Sequence, residues 1–141
     1  MTSEEQCKNY VILLELLLQA KRQLITTGNE FGLTGMQTFT LVLTDPDELQ
    51  PMNNLCSVFC CDASNMTGII DGLEQKKLAR RQSHPKDRRI KVVRLEPEGL
   101  KVRTQIMQHL TDRNSELFGK LTDAETKQLV VLLQKLARPA P

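Results

Sequence analysis

From Tyr10 to Leu18 every residue but Glu15 is apolar. This stretch limits the fold more than any other in the 141-residue chain. The surrounding segment, Glu4 to about Thr27, predicts a long helix: Tyr10, Leu13, Leu14, Leu17, Leu18, Leu24 and Ile25 fall on one stripe at helical spacing. Val11, Ile12 and Leu16 widen that stripe to nearly the whole circumference over two turns. A helix apolar all round must be covered on several sides, and in so small a protein this suggests a partner subunit. A membrane is not the expected cover. The run is shorter than the roughly 20 residues a span needs. It also follows Glu4 and Glu5 rather than a basic leader, so a secreted product is not expected and a cytoplasmic location is.

Gly28 and Asn29 are expected to end this helix. Thr34-Gly-Met-Gln37 has the form of a capping box and opens a second helix carrying Met36, Phe39, Leu41, Val42 and Leu43, which stops before Asp45-Pro46. Pro51 suits the first position of a short third helix reaching about Phe59. Asp62 is a good N-cap for a fourth, in which Met66, Ile69, Ile70 and Leu73 recur at i, i+3, i+4 and i+7. The opposite face holds Ser64, Gly68, Asp71 and Gln75, flanked by Asn65, Thr67 and Gly72. Solvent faces carry more Lys and Glu than this. Each glycine weakens a helix by about 1 kcal/mol relative to Ala. Close approach to another molecule would account for that cost.

Charge is unevenly placed. Between Lys76 and Arg94 lie nine Lys or Arg against the single acid Asp87, a net +8. The whole chain is only +2, so the remainder sums to −6. A basic block in an otherwise acidic chain marks an anionic partner. The segment reads as Leu78-Ala-Arg-Arg-Gln82, a polar turn Ser83–Asp87, then Arg89–Leu95: two extended runs about a basic tip, a β-hairpin. After Pro97 a fifth helix with Leu100, Ile106, Met107 and Leu110 as buried positions is expected to run to about Phe118. A second capping box, Thr122-Asp-Ala-Glu125, opens a last helix bearing Leu129, Leu132, Leu133 and Leu136, and the Arg138–Pro141 end is expected to fray.

Several functions are disfavoured. One Tyr, four Phe and no Trp are too few for a base-stacking single-strand binder. Cys7, Cys56, Cys60 and Cys61 lack metal-ligand spacing, so reduced structural thiols and no metal or cofactor are expected, with Cys56 and Cys60 in the core. His84 and His109 sit 25 residues apart, and no nucleophile elbow, phosphate loop or zinc-protease spacing occurs, which argues against an enzyme.

Helix, helix, helix, basic hairpin, helix is the order of a winged helix-turn-helix, and the residues resemble the MarR family of bacterial transcription regulators. The stretch D-A-S-N-M-T-G-I-I-D-G-L-E-Q-K from Asp62, then L-A-R-R, then D-R-R-I-K-V-V-R-L-E-P-E-G to Gly99, is similar to that family's recognition helix, wing and following helix start. L-T-G-M-Q and L-T-D-A-E resemble its second-helix and last-helix starts. The resemblance implies a mainly α fold with a small β-hairpin wing, one domain over residues 1–141. Dimerisation helices at 1–28 and 99–138 would flank a winged-helix DNA-binding lobe at 29–98. It further implies a homodimer held through residues such as Tyr10, Leu13, Leu14, Leu17, Leu129, Leu132, Leu133 and Leu136.

Two recognition helices related by a dyad would meet successive major-groove faces of a near-palindromic double-stranded operator. Ser64, Asn65 and Thr67 would reach base edges or phosphates, with Gly68 allowing close approach. Arg80, Arg81, Lys86, Arg88, Arg89 and Lys91 would supply phosphate contacts, with Arg88 or Arg89 in the minor groove. Asp87 would shape the wing by pairing with an Arg, and Asp71 would pair with another.

The family often responds to small aromatic or lipophilic acids bound between the dimer helices and the DNA-binding lobe, which favours a repressor released by an effector. The alternatives are a protein–protein adaptor using the basic hairpin, or a regulator sensing oxidants through Cys7 or Cys61. The chain departs from the family pattern at Phe59-Cys60, where Leu-Gly is usual, at Lys77, where Gly is usual, and at Glu96, where a capping Thr is common.

Overall fold

The computed structural model describes residues 1–112 and 117–137. Two compact units are defined by packing, Met1–Leu110 and Thr111–Pro141. The elements run α1 (Ser3–Glu30), α2 (Gly35–Leu43), β1 (Gln50–Pro51), α3 (Met52–Phe59), α4 (Ala63–Gln75), β2 (Ala79–Ser83), β3 (Lys91–Leu95), α5 (Pro97–Thr111) and α6 (Asp123–Ala137). This is a mainly helical chain with one small antiparallel sheet, as expected.

In α1 the expected stop at Gly28 is overturned. The helix continues to Glu30, and Gly32, at φ 71°, makes the reversal. Gly28 is buried instead, because a Cβ there would overlap the Thr38 side chain of α2. The glycine lets two helices cross closely; it does not end one. The capping box of α2 forms as expected: Gln37 N donates to Thr34 Oγ1 at 3.2 Å and Thr34 N to Gln37 Oε1 at 3.1 Å.

The hairpin gains a strand the sequence did not reveal. Gln50 and Pro51 pair with Val93 and Val92 of β3, and β2 flanks β3 on its other side, giving the order β1-β3-β2. Pro51 therefore sits in an edge strand and precedes α3, not at its first helical position. Proline at a sheet edge loses no ladder bond.

The core of the first unit gathers Leu41, Leu55, Met66, Ile70, Leu73, Val93 and Ile106, all essentially inaccessible. The stripe expected on α4 thus faces inward, with Ile69 packed at its margin. Leu100, expected buried, is exposed on α5. Cys56 is half-buried, but Cys60, expected in the core with it, is exposed. The i, i+4 argument fails there because α3 ends at Phe59 and Cys60 turns left-handed at φ 49°. Lys77 is left-handed too, at φ 57°. These two are the described non-glycine residues with positive φ, and they are the two positions where the family usually has glycine.

In the second unit the capping box of α6 closes, Glu125 Oε2 accepting from Thr122 N at 2.8 Å. The fifth helix stops at Thr111, short of Phe118; residues 113–116 and the expected frayed end at 138–141 lie outside the described residues.

Candidate nucleic-acid interface

The site is built on α4. Asp62 caps it, Oδ1 accepting from Asn65 N at 2.7 Å, while Met66, Ile70 and Leu73 root it in the core. This turns Ser64, Asn65, Thr67 and Gly68 outward, and all four are exposed. Thr67 Oγ1 donates back to Ala63 O at 2.8 Å, leaving Ser64 and Asn65 as the uncommitted hydrogen-bonding side chains of that turn. The two glycines part company. Gly68 has open space where a side chain would stand, whereas a Cβ on Gly72 would overlap the Gln37 amide of α2. Approach to another molecule is thus no longer needed to account for Gly72.

Asp71 pairs with an arginine, as expected, and the arginine is Arg81. Its Nη2 reaches Asp71 Oδ1 and, at 2.9 Å, Glu74 Oε2, and its backbone N donates to Glu74 Oε1 at 2.7 Å. That backbone bond is the main reason the Glu74 carboxyl lies below the ordinary carboxylate range, the Arg81 guanidinium adding to it and burial opposing. Glu74 likewise raises the Arg81 guanidinium further. The network rivets α4 to β2. Arg81, expected at phosphate, is thereby engaged inside the lobe. Arg80 pairs with Glu96 at 3.0 Å. Glu74 was not singled out in the sequence, although its i, i+3 spacing from Asp71 was a signal available there.

The wing tip is a closed turn. His84 N donates to Ile90 O at 2.8 Å, Lys86 N to His84 Nδ1 at 3.1 Å and Ile90 N to Asp87 O at 3.0 Å. Asp87 takes Arg89: Oδ1 accepts from its backbone N at 3.0 Å and its Nε at 3.1 Å, and Oδ2 from Nη2 at 3.0 Å. These bonds from Arg89 hold the Asp87 carboxyl below its ordinary range. The Arg89 side chain is nonetheless 90% exposed, so it is stiffened without being hidden. Lys91 Nζ donates to Ser83 Oγ at 2.9 Å. Lys86 and Arg88 have no acidic partner among the described residues. Between α3, the start of α4 and the wing base lies a cleft of about 510 Å³ bordered by Met52, Cys56, Thr67, Arg81 and Ile90.

The residues expected at a dimer interface divide between the units. On α1, Tyr10, Leu13, Leu14 and Leu17 are exposed, Tyr10 by 63%. On α6, Leu132, Leu133 and Leu136 are exposed and Leu129 is half-buried. No described helix is long and apolar enough to cross a membrane.

A helix-turn-helix whose open-faced last helix is braced against a basic, sheet-anchored hairpin defines a winged-helix protein. The profile of the MarR family matches residues 37–91. A transcriptional regulatory protein for the hcr operon of Thauera aromatica is 30% identical over 121 residues, 85% of this chain and 70% of that one. Among solved structures, the regulator BldR from Sulfolobus solfataricus superposes with a TM-score of 0.76 at 23% identity, covering 99% of this chain and 100% of that one. A mutant MarR from E. coli, complexed with operator DNA, gives 0.70 at 24% identity, covering 95% and 96%. The chain belongs to the MarR family and is a DNA-binding transcriptional regulator.

Proposed function

We propose that the chain works as a homodimer that binds a near-palindromic duplex operator and represses transcription until a small aromatic or lipophilic effector releases it. One observation carries this reading. The face of α4 that lacks bulk, with Ser64, Asn65, Thr67 and Gly68, belongs to the helix riveted through Arg81 to the strand feeding the most basic turn. In the major groove, Asn65 suits adenine N6 and N7 and Gly68 lets the helix backbone come near. The wing lies over the adjacent minor groove. Arg89, pre-oriented by Asp87, loses little freedom on insertion, and Lys86, Arg88 and Lys91 take phosphates. Arg80 and Arg81 act at the phosphates only by leaving their carboxylates, so they contribute chiefly through shape.

The exposed apolar faces of α1 and α6 supply the dimer surfaces. The cleft beside Met52 and Ile90, with Lys91, which has no carboxylate partner among the described residues, on its border, suits a small aromatic acid and supports effector control. Fluorescence anisotropy on the chain's own upstream DNA tests the reading, with and without phenolic acids. Asn65→Ala is expected to lower discrimination between operator and scrambled duplex by about 1–3 kcal/mol. Equal affinity of the wild type for both duplexes would overturn it.

A further inference from the structure

We propose that Arg103 is a positioning residue: its guanidinium caps the C-terminus of α2, fixes the angle at which α5 holds the helix-turn-helix, and so sets the half-site spacing that a dimer reads. Arg103 Nε donates to Val42 O at 3.1 Å, across 61 positions of sequence. The last carbonyls of a helix have no partner within it and form the negative end of its dipole. Thr40 O is served locally, by Thr44 N at 3.0 Å and Thr44 Oγ1 at 2.7 Å. Val42 O has no local cation to turn to. The last turn of α2 holds no basic residue, and the chain runs on as Asp45-Pro46-Asp47-Glu48. The cation comes from α5 instead.

Three residues on one face of α5, at i, i+4 and i+7, meet the lobe. A Cβ on Gly99 would overlap Leu78 O, Ile106 is wholly buried in the core, and Arg103 stands between them. Gly99 and Ile106 set how closely the helix lies, but apolar burial is non-directional and does not choose a rotation. A hydrogen bond has a direction, so Arg103 adds the register that the other two lack. Its acceptor lies on a helix braced from two further sides. Gly28 of α1 crosses at Thr38, and the Gln37 amide occupies the space over Gly72 of α4. The bond at the end of α2 thus bears on where Ser64 and Asn65 point.

Through α5 the chain continues into the second unit, which carries the exposed leucines of α6. In a dimer, the angle of each lobe on its α5 decides how far apart the two recognition helices fall. Binding one half-site asks nothing of that angle, whereas binding both does. A lobe free to rotate must be ordered before the second half-site is met, so its cost falls on the full site alone. This inference rests on the dimeric-operator reading above.

The test is fluorescence anisotropy with three duplexes: the chain's own upstream DNA, the same with one half-site scrambled, and the same with one base pair inserted at its centre. Arg103→Met keeps the stem and loses the bond. It should weaken binding to the first duplex about five- to tenfold and to the second by less than about twofold. The penalty for the inserted pair should fall at least about threefold below that of the wild type. Arg103→Lys, which keeps a cationic donor, should recover most of the loss. Lys101→Met removes an exposed cation from the same helix and should leave the ratio of full-site to half-site affinity unchanged. Circular dichroism checks folding, and Arg103→Gln replaces Arg103→Met if the latter does not fold. Equal losses on full and half-site duplexes would show that Arg103 merely supports the lobe, and unchanged binding would show that the bond is idle; either overturns the inference. A wild type that binds both duplexes alike refutes the dimeric-operator reading, and hydrogen exchange of the free chain then decides the role of Arg103. In Arg103→Met the amides from Leu100 to Ile106 should exchange at least about threefold faster, with those of α4 unchanged. Equal rates in variant and wild type overturn the positioning role.

Discussion

The inner face of α4 and the first half of α1 are both rich in large aliphatic side chains, yet they meet opposite fates. Met66, Ile70 and Leu73 are wholly buried by α2, α3 and the sheet around them, whereas Tyr10 through Leu18 are exposed without interruption. The difference lies in width. A stripe at i, i+3, i+4, i+7 covers one face and is satisfied by one layer of neighbours, while a helix apolar around its circumference needs cover on several sides. Apolar content alone says little; its angular spread tells a face that one layer of neighbours can bury from one that stays exposed in the described chain.

The comparison breaks most visibly under substitution. Ile70→Ala should cost about 2–5 kcal/mol of stability at unchanged mass, as a cavity opens in a closed core. Leu14→Glu with Leu17→Glu should instead change the assembly. Sedimentation at low micromolar concentration is expected to give about twice 16.0 kDa for the wild type and a monomeric or unfolded chain for the variant. A folded wild-type monomer would remove the contrast. Next in size is the wing: Arg88→Ala with Arg89→Ala should weaken binding to every duplex and reduce the salt slope by roughly one unit per lost phosphate contact.

Smaller effects sharpen the picture inside the lobe. Cys60→Gly and Lys77→Gly should each raise stability by about 0.5–1 kcal/mol in denaturant melts, because glycine adopts positive φ without the Cβ penalty. Loss of stability in either would mean that its side chain contributes more than its backbone costs.

The smallest effect concerns Glu74. Its folded-state pKa is depressed, so its stabilisation is present above the unfolded carboxylate value and lost as pH falls through the lower folded one. Glu74→Gln should therefore cost about 1 kcal/mol or less at pH 7, the pair being partly exposed, and the gap should close below roughly pH 4. A gap independent of pH would show that the charge is immaterial.

Local chemistry was legible in the sequence and distant contacts were not. Thr34 with Gln37, Asp62, and Thr122 with Glu125 announce their helix starts because a cap needs only residues three apart. The stripe on α4 and the polar tip of the hairpin were legible for the same reason. Gln50-Pro51 has no such signature: two residues carry no period, and pairing with Val92 and Val93 is settled some forty residues away. Gly28 and Gly72 look like breakers until Thr38 and Gln37 are seen against them. Of the candidate interface, the exposed turn of α4 and the basic tip could be read directly. Which arginine serves Asp71 and which serves Asp87 depended on how strand and helix face each other.

The crossing at Gly28 has a mechanical consequence. A helix of 28 residues is a rod of roughly 42 Å, and Gly28 lies about 37 Å from its first turn. With no side chain between the rod and Thr38, the crossing holds the rod closely near one end. A rotation of roughly 5° about it displaces the far end by about 3 Å, at a rise of 1.5 Å per residue. Any change of the crossing angle would thus be magnified along the rod, over the roughly 15–27 Å that separate Gly28 from the apolar residues Leu18 to Tyr10. The rod is in this sense a lever, short and buried on the side of Thr38 and long on the side of the exposed aliphatic residues.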